Sequence, residues 1–280
     1  MAHPLTETHL KLCRAEEHLN SVKMAVQWFL QSNPYSLVRQ PDPQPPKYSL
    51  IANVSQTLSS QLGCIVGDFA HNLRSSLDLL VFEISDLNSQ DERKRRGLQF
   101  PIFDTPTEYA SNENRYLAGV RPAYRAIIDR YQPYQRPQEN QRDGLGLLRD
   151  LNNFDKHRTI QAVGTVTNFQ FFVFDSSSGL PDNVKLSQGA KIRVGQKFDM
   201  GNGFSGEKVG DGAITKDGTV VAKLTIPDPE HMNVKTDYTV SIQFTKSHPG
   251  SQGRPVMETL VFIFDRVKEL VNEFDVLLNK

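Results

Sequence analysis

Residues Ser55–Leu87 read SQTLSSQLGCIVGDFAHNLRSSLDLLVFEISDL, a stretch carrying both the longest periodic apolar pattern and the densest polar constellation of the chain. Leu58, Leu62, Ile65, Phe69, Leu73, Leu77, Leu80, Ile84 and Leu87 recur at steps of three and four. Such spacing marks one face of an α-helix turning about 100° per residue. A central helix is therefore expected here, with that face in the core. On its other side His71, Arg74 and Asp78 share a stripe with Cys64, Gly67, Val81 and Phe82. A solvated face would carry Lys, Glu and Gln instead. Polar groups covered by neighbours need partners, because leaving one unpaired costs about 1–3 kcal/mol. Two readings follow: an Arg74–Asp78 ion pair with His71 beside it, holding helices in register, or a ligand site.

Before this stretch, Leu12, Leu19, Val22, Val26 and Phe29 predict a helix reaching about Leu30, with Thr6 as N-cap and Arg14, Glu17 and His18 on a solvated face. Asn33–Ser49 contains Pro34, Pro41, Pro43, Pro45 and Pro46 and is expected to be a loop. After it, Asp91–Arg96 (DERKRR) is a charged connection, most cheaply a solvated loop and also the only basic cluster that could touch a phosphate backbone. Phe100–Phe103 forms an apolar plug in which Pro101 forbids a regular helix. Helical character returns over Thr107–Tyr131, interrupted at Pro122, then again from Asn140 to Asp155 after a turn at Gln132–Pro137. The last of these helices ends in a second polar cluster, Asn152, Asn153, Asp155, Lys156, His157 and Arg158. Its cations suit a helix C-terminus, and its position before a strand equally suits a site.

From Thr159 the apolar period shortens. Ile160–Val166, Phe169–Phe174, Ile192–Phe198, Val220–Ile226 and Tyr238–Thr245 read as strands, with Asp217-Gly218 as a tight hairpin turn. Gly201, Gly203, Gly206, Gly210 and Gly212 read as turns and bulges. Arg254–Lys280 is helical again and too apolar to stand alone. The expected fold is therefore α+β. Residues 5–158 would form a helical bundle completed by 254–280, with 159–250 as an antiparallel β-rich insertion before the last helix.

Composition narrows the function. The chain has 280 residues with 32 basic and 32 acidic side chains, so any polyanion site must be local. Cys13 and Cys64 lack metal-ligand spacing and are expected to be buried free thiols. No apolar run reaches a membrane span, and the first residues lack a signal-peptide plan, which predicts a cytoplasmic protein without a membrane role. There is no phosphate-loop motif. No metal or cofactor is expected.

GDFAHNLRSSLD (Gly67–Asp78), QFPIF (Gln99–Phe103) and LNNFDKHR (Leu151–Arg158) together resemble the marks of a largely uncharacterised bacterial protein family. The resemblance covers about Leu10 to Arg158. That family's central-helix pattern is in turn similar to the Arg-x4-6-His motif of HEPN domains. It implies an HEPN-like helical bundle, self-association as a homodimer, and an RNA or nucleotide ligand, with metal-independent RNA cleavage in toxin or defence systems. Arg74 matches the HEPN arginine and Ser75 the polar residue after it, whereas Leu79 stands at the histidine position. A leucine can neither accept nor donate a proton, so cleavage would need His71 or His157. In that scheme Arg74 stabilises phosphorane charge and Asp78 orients a histidine. The catalytic candidates are then His71, Arg74, Asp78 and His157, and the binding candidates Asn72, Asn153, Asp155, Lys156 and Arg158. Three readings stand side by side: an RNA-cleaving enzyme, a non-catalytic binder of a nucleotide, RNA or protein through the same cleft, and a structural protein whose β-rich part is an interaction module. The two polar clusters are expected to meet in one cleft.

Overall fold

The computed structural model describes residues 4–44, 47–136, 143–175, 197–199, 204–228, 230, 232–245, 247–248 and 250–279. The fold is mixed α+β. It divides into two compact units, one of residues 1–25, 60–161 and 244–280, the other of residues 26–59 and 162–243.

Helices build the first unit: α1 (Thr6–Gln31, through Ala25), α2 (Gln61–Glu83), α3 (Glu92–Arg95), α4 (Pro106–Tyr116), α5 (Pro122–Arg130), α6 (Gly144–Asp155) and α7 (Val256–Leu278). In α2 the apolar face is buried as its period requires, with Phe69, Leu73, Leu77 and Leu80 fully inaccessible. It packs with α6 and α7, which bury Leu148 and Leu151, and Leu260, Ile263, Val267, Leu270 and Phe274. Each such side chain contributes about 1.5–3 kcal/mol. The last helix also returns to α1, where His9 bonds Asp275 at 2.9 Å.

Capping of α1 differs from expectation. Thr6 is already helical, and the carboxylate of Glu83 in α2 accepts the Glu7 N–H at 3.0 Å and the Thr8 hydroxyl. A negative charge is thus delivered to a positive helix end by another helix. Two glycines of α2 set the site geometry. A Cβ on Gly63 would lie 2.0 Å from the Ile160 carbonyl oxygen, and one on Gly67 would lie 2.3 Å from the Asp155 carboxylate. The end of α6 and the chain after it therefore lie directly on α2.

Strands build the second unit: β1 (Tyr35–Pro41), β2 (Lys47–Val54), β3 (Ala162–Asp175), β4 (Lys197–Asp199), β5 (Ser205–Lys208), β6 (Thr219–Thr225) and β7 (Met232–Phe244). Five form a sheet in the order β1-β2-β6-β5-β4, and β3 pairs with β7. The loop expected over Asn33–Ser49 is instead the antiparallel hairpin β1–β2, in register from Tyr35 opposite Val54 to Pro41 opposite Tyr48. Pro34 precedes β1, Pro43 lies in the connection, and Pro41 ends an edge strand, where a missing N–H costs no ladder bond. Two consequences correct the expected domain plan. Residues 5–158 are not one helical stretch, and the β-rich unit is not one insertion, because β2 pairs directly with β6.

Ile160–Val166 and Phe169–Phe174 merge into β3, while β5 was not expected. Gly218 adopts φ +76° inside a turn closed by Thr219 N–H on the Lys216 carbonyl, within the longer β5–β6 loop rather than a two-residue hairpin. Residues 192–196 of one expected strand, residues 140–142 of the expected helix, and Gly201 and Gly203 lie outside the described residues. Both cysteines are free but exposed rather than buried, since each sits off its helix's apolar face. Among the described residues no helix is long and apolar enough to cross a membrane.

Candidate functional site

The segment Phe100–Phe103 has no regular structure, so its backbone groups must find side-chain partners or stay unpaired. Three elements supply them. From α2, Asp78 Oδ1 accepts the Phe100 N–H at 2.8 Å, while Arg74 Nη2 donates to the Phe100 carbonyl at 2.6 Å and to Asp78 Oδ1 at 2.7 Å. Arg74 Nε completes the fork on Asp78 Oδ2 at 3.2 Å. Gln132, fully buried after α5, donates to the Pro101 carbonyl at 2.9 Å and accepts the Phe103 N–H at 3.1 Å. From α6, Arg149 reaches the Ile102 carbonyl at 3.5 Å and pairs with Asp104 at 2.7 Å and Asp150 at 3.2 Å. The motif QFPIF is thus a strap fixed by a side-chain frame.

Beside this strap lies an open cleft of about 410 Å³, lined by His71, Arg74, Ser75 and Asp78 of α2, by Gln99, Phe100, Ile102 and Phe103 of the strap, by Tyr116 of α4, and by Arg149, Asn152, Asn153 and Lys156 of α6 and its C-cap. Phe103 and Tyr116 stack along one wall, their rings 5.9 Å apart and within 10° of parallel. Four lining side chains are basic and one is acidic. That acid, Asp78, already holds Arg74 and the strap. Arg74 keeps Nη1 without a partner among the described residues. His71, Asn153 and Lys156 are exposed on the rim. Behind the rim, Asp155 is half-buried against Gly67, and burial, with Asp68 nearby, pushes its carboxyl up from the ordinary value while His71 opposes the shift.

The two polar clusters do therefore meet: His71, Arg74 and Asp78 share one cleft with Asn153 and Lys156, and Asp155 lies near enough to His71 to act on it electrostatically. Four candidates fall outside the lining, Asp155 behind the rim and three elsewhere. His157 and Arg158 are exposed and outside the lining, and Asn72 is buried facing α1, donating to the Asp68 carbonyl at 2.8 Å and accepting from Lys11 at 3.4 Å. Sequence reasoning missed Arg149 as a lining residue. The signal was present, because Arg149, Asn152, Asn153 and Lys156 follow steps of three, one and three, a single helical stripe. Among the described residues no group of His, Cys, Asp and Glu is placed to hold a metal ion. No family model, no curated protein and no solved structure matches this chain.

Proposed function

We propose that the cleft binds a nucleotide unit, its phosphate on the basic rim and its base beside the aromatic wall, without cleaving it. The observation that carries this reading is the set of basic donors left over: His71 and Lys156 are exposed on the rim and Arg74 keeps Nη1 without a partner among the described residues, while the lining carboxylate is spent on Arg74 and the strap. Lys156 and the unpaired Arg74 Nη1 supply charge-assisted donors for phosphate oxygens. Phe103 and Tyr116 form an aromatic wall beside which a base can pack.

Binding is favoured over cleavage because Asp78 is committed to Arg74 and the Phe100 N–H rather than to a histidine, and because His157 lies outside the lining, which leaves His71 as its lone imidazole. The HEPN resemblance supports the same ligand class. Homodimerisation belongs to this reading too, and the exposed Val261, Phe262, Val276 and Leu277 of α7 are apolar surface for it. The alternative, a purely structural role, is favoured by the Asp78–Phe100 network and leaves Lys156 only its place as a cation at the C-terminus of α6.

Calorimetric titration with nucleoside monophosphates tests the proposal. Wild type should bind, and Lys156→Ala should weaken binding about tenfold, the loss of roughly one charge-assisted contact. Absence of binding to wild type, or equal binding by Lys156→Ala, would overturn it.

A further inference from the structure

A second basic hollow, of about 740 Å³, lies on the same unit and is lined by Arg93, Lys94, Arg96, Arg115 and Arg125 beside Gly97 and Gly119, with no carboxylate in its lining. Its construction separates structural from available cations. Arg95, the third of the four bases in the run, is turned inward, donating to the Leu87 carbonyl at 3.0 Å and lying 4.4 Å over the Phe82 ring. Arg125 is likewise spent on the Val120 and Leu117 carbonyls. Lys94 and Arg96 pair with Asp91 and Glu92 at exposed positions, where such pairs are weak. Arg93 is exposed and makes no hydrogen bond or ion pair among the described residues, and Arg115 is exposed with its guanidinium 5.6 Å from the Tyr116 ring.

Neighbouring residues of the same two segments line this hollow and the nucleotide cleft. Gly97 and Arg115 line the hollow, Gln99 and Tyr116 line the cleft, and the Gln99 N–H bonds the Tyr116 carbonyl at 3.3 Å. Two cationic concavities thus flank one pair of joined segments.

Resting on the nucleotide reading of the cleft, we infer that the two hollows form one track for a single phosphodiester strand, with one nucleotide in the cleft and a neighbouring phosphate held by Arg93 and Arg115. A mononucleotide fills only the first. A regularly spaced polyanion gains the second set of contacts within the same binding event, and each phosphate neutralised lowers the salt exponent of binding by roughly 0.7 for a single strand.

The test is fluorescence anisotropy with labelled oligoribonucleotides and oligodeoxyribonucleotides, from a mononucleotide to about ten units, a typical site size for one strand-binding surface. Wild type should bind the longest strand of at least one of the two at least tenfold tighter than the mononucleotide, and the tighter of the two identifies the sugar preferred. Arg93→Ala/Arg115→Ala should erase that gain and flatten the salt dependence, with mononucleotide affinity and the thermal midpoint unchanged. Equal affinity at every length, or a gain that survives the double substitution, would overturn the track while leaving the cleft intact. Failure of the mononucleotide and both strands to bind wild type would instead overturn the cleft reading and the track with it.

Discussion

The two sides of the cleft are built from similar residues and behave differently. On the strap side, Arg74, Asp78, Gln132 and Arg149 spend their hydrogen-bonding capacity on the backbone of Phe100–Phe103 and on one another. On the rim side, His71, Asn153 and Lys156 face solvent. A polar side chain in a cleft is therefore not by itself a ligand contact. Whether it is already paired decides whether its loss damages the fold or the site.

Substitutions can break that contrast, and the largest effect is expected at Gln132. Gln132→Ala leaves the buried Pro101 carbonyl and the half-buried Phe103 N–H without these partners, which should cost about 3 kcal/mol, read by urea denaturation. Asp78→Ala strands the Arg74 guanidinium, whose side chain is 16% exposed, and the Phe100 N–H. The 37% exposure of Asp78 itself lets water soften the loss. A cost of about 2 kcal/mol is expected. A value within 0.5 kcal/mol of zero for either would mean the strap does not depend on this frame.

Asp155 gives a smaller effect with a distinctive pH signature. Its carboxyl titrates above the ordinary value in the folded protein, so the unfolded state ionises more readily. The stability it contributes is present at acid pH and is lost as pH rises from about 3.9, the unfolded value, through the raised folded value. Asp155→Asn should therefore be more stable than wild type at pH 7, by on the order of a few tenths of a kcal/mol after solvent screening, and show no advantage near pH 3. Thermal melts across that range check both the sign and its disappearance. On the rim, Lys156→Ala should leave stability within about 0.5 kcal/mol of wild type, as surface substitutions do.

How far the sequence anticipates this molecule depends on the range of the interactions involved. The core face of α2 follows from local period, because each apolar residue reports its own burial. The convergence of His71 and Arg74 with Asn153 and Lys156 is also legible, since two covered stripes need partners. The hairpin β1–β2 is not, because its proline-rich sequence is permitted only at a sheet edge, and that edge is fixed by β6, far along the chain. The commitment of Arg74 and Asp78 is hidden for the same reason, their partner Phe100 being supplied by a separate segment. His157 and Arg158 mislead because they follow Lys156 by one and two residues, off the stripe of steps of three and four that brings Lys156 to the rim, and α6 has already ended at Asp155.

The central claim, that the strap side holds the fold while the rim holds a nucleotide, is tested most directly by the shift in thermal midpoint on adding a nucleoside monophosphate. A ligand that binds only the folded state raises the midpoint in proportion to its occupancy. Wild type should shift upward, Asp78→Ala should start from a lower midpoint, and Lys156→Ala should start at the wild-type midpoint and shift far less. A full shift in Lys156→Ala, or none in wild type, would contradict the claim.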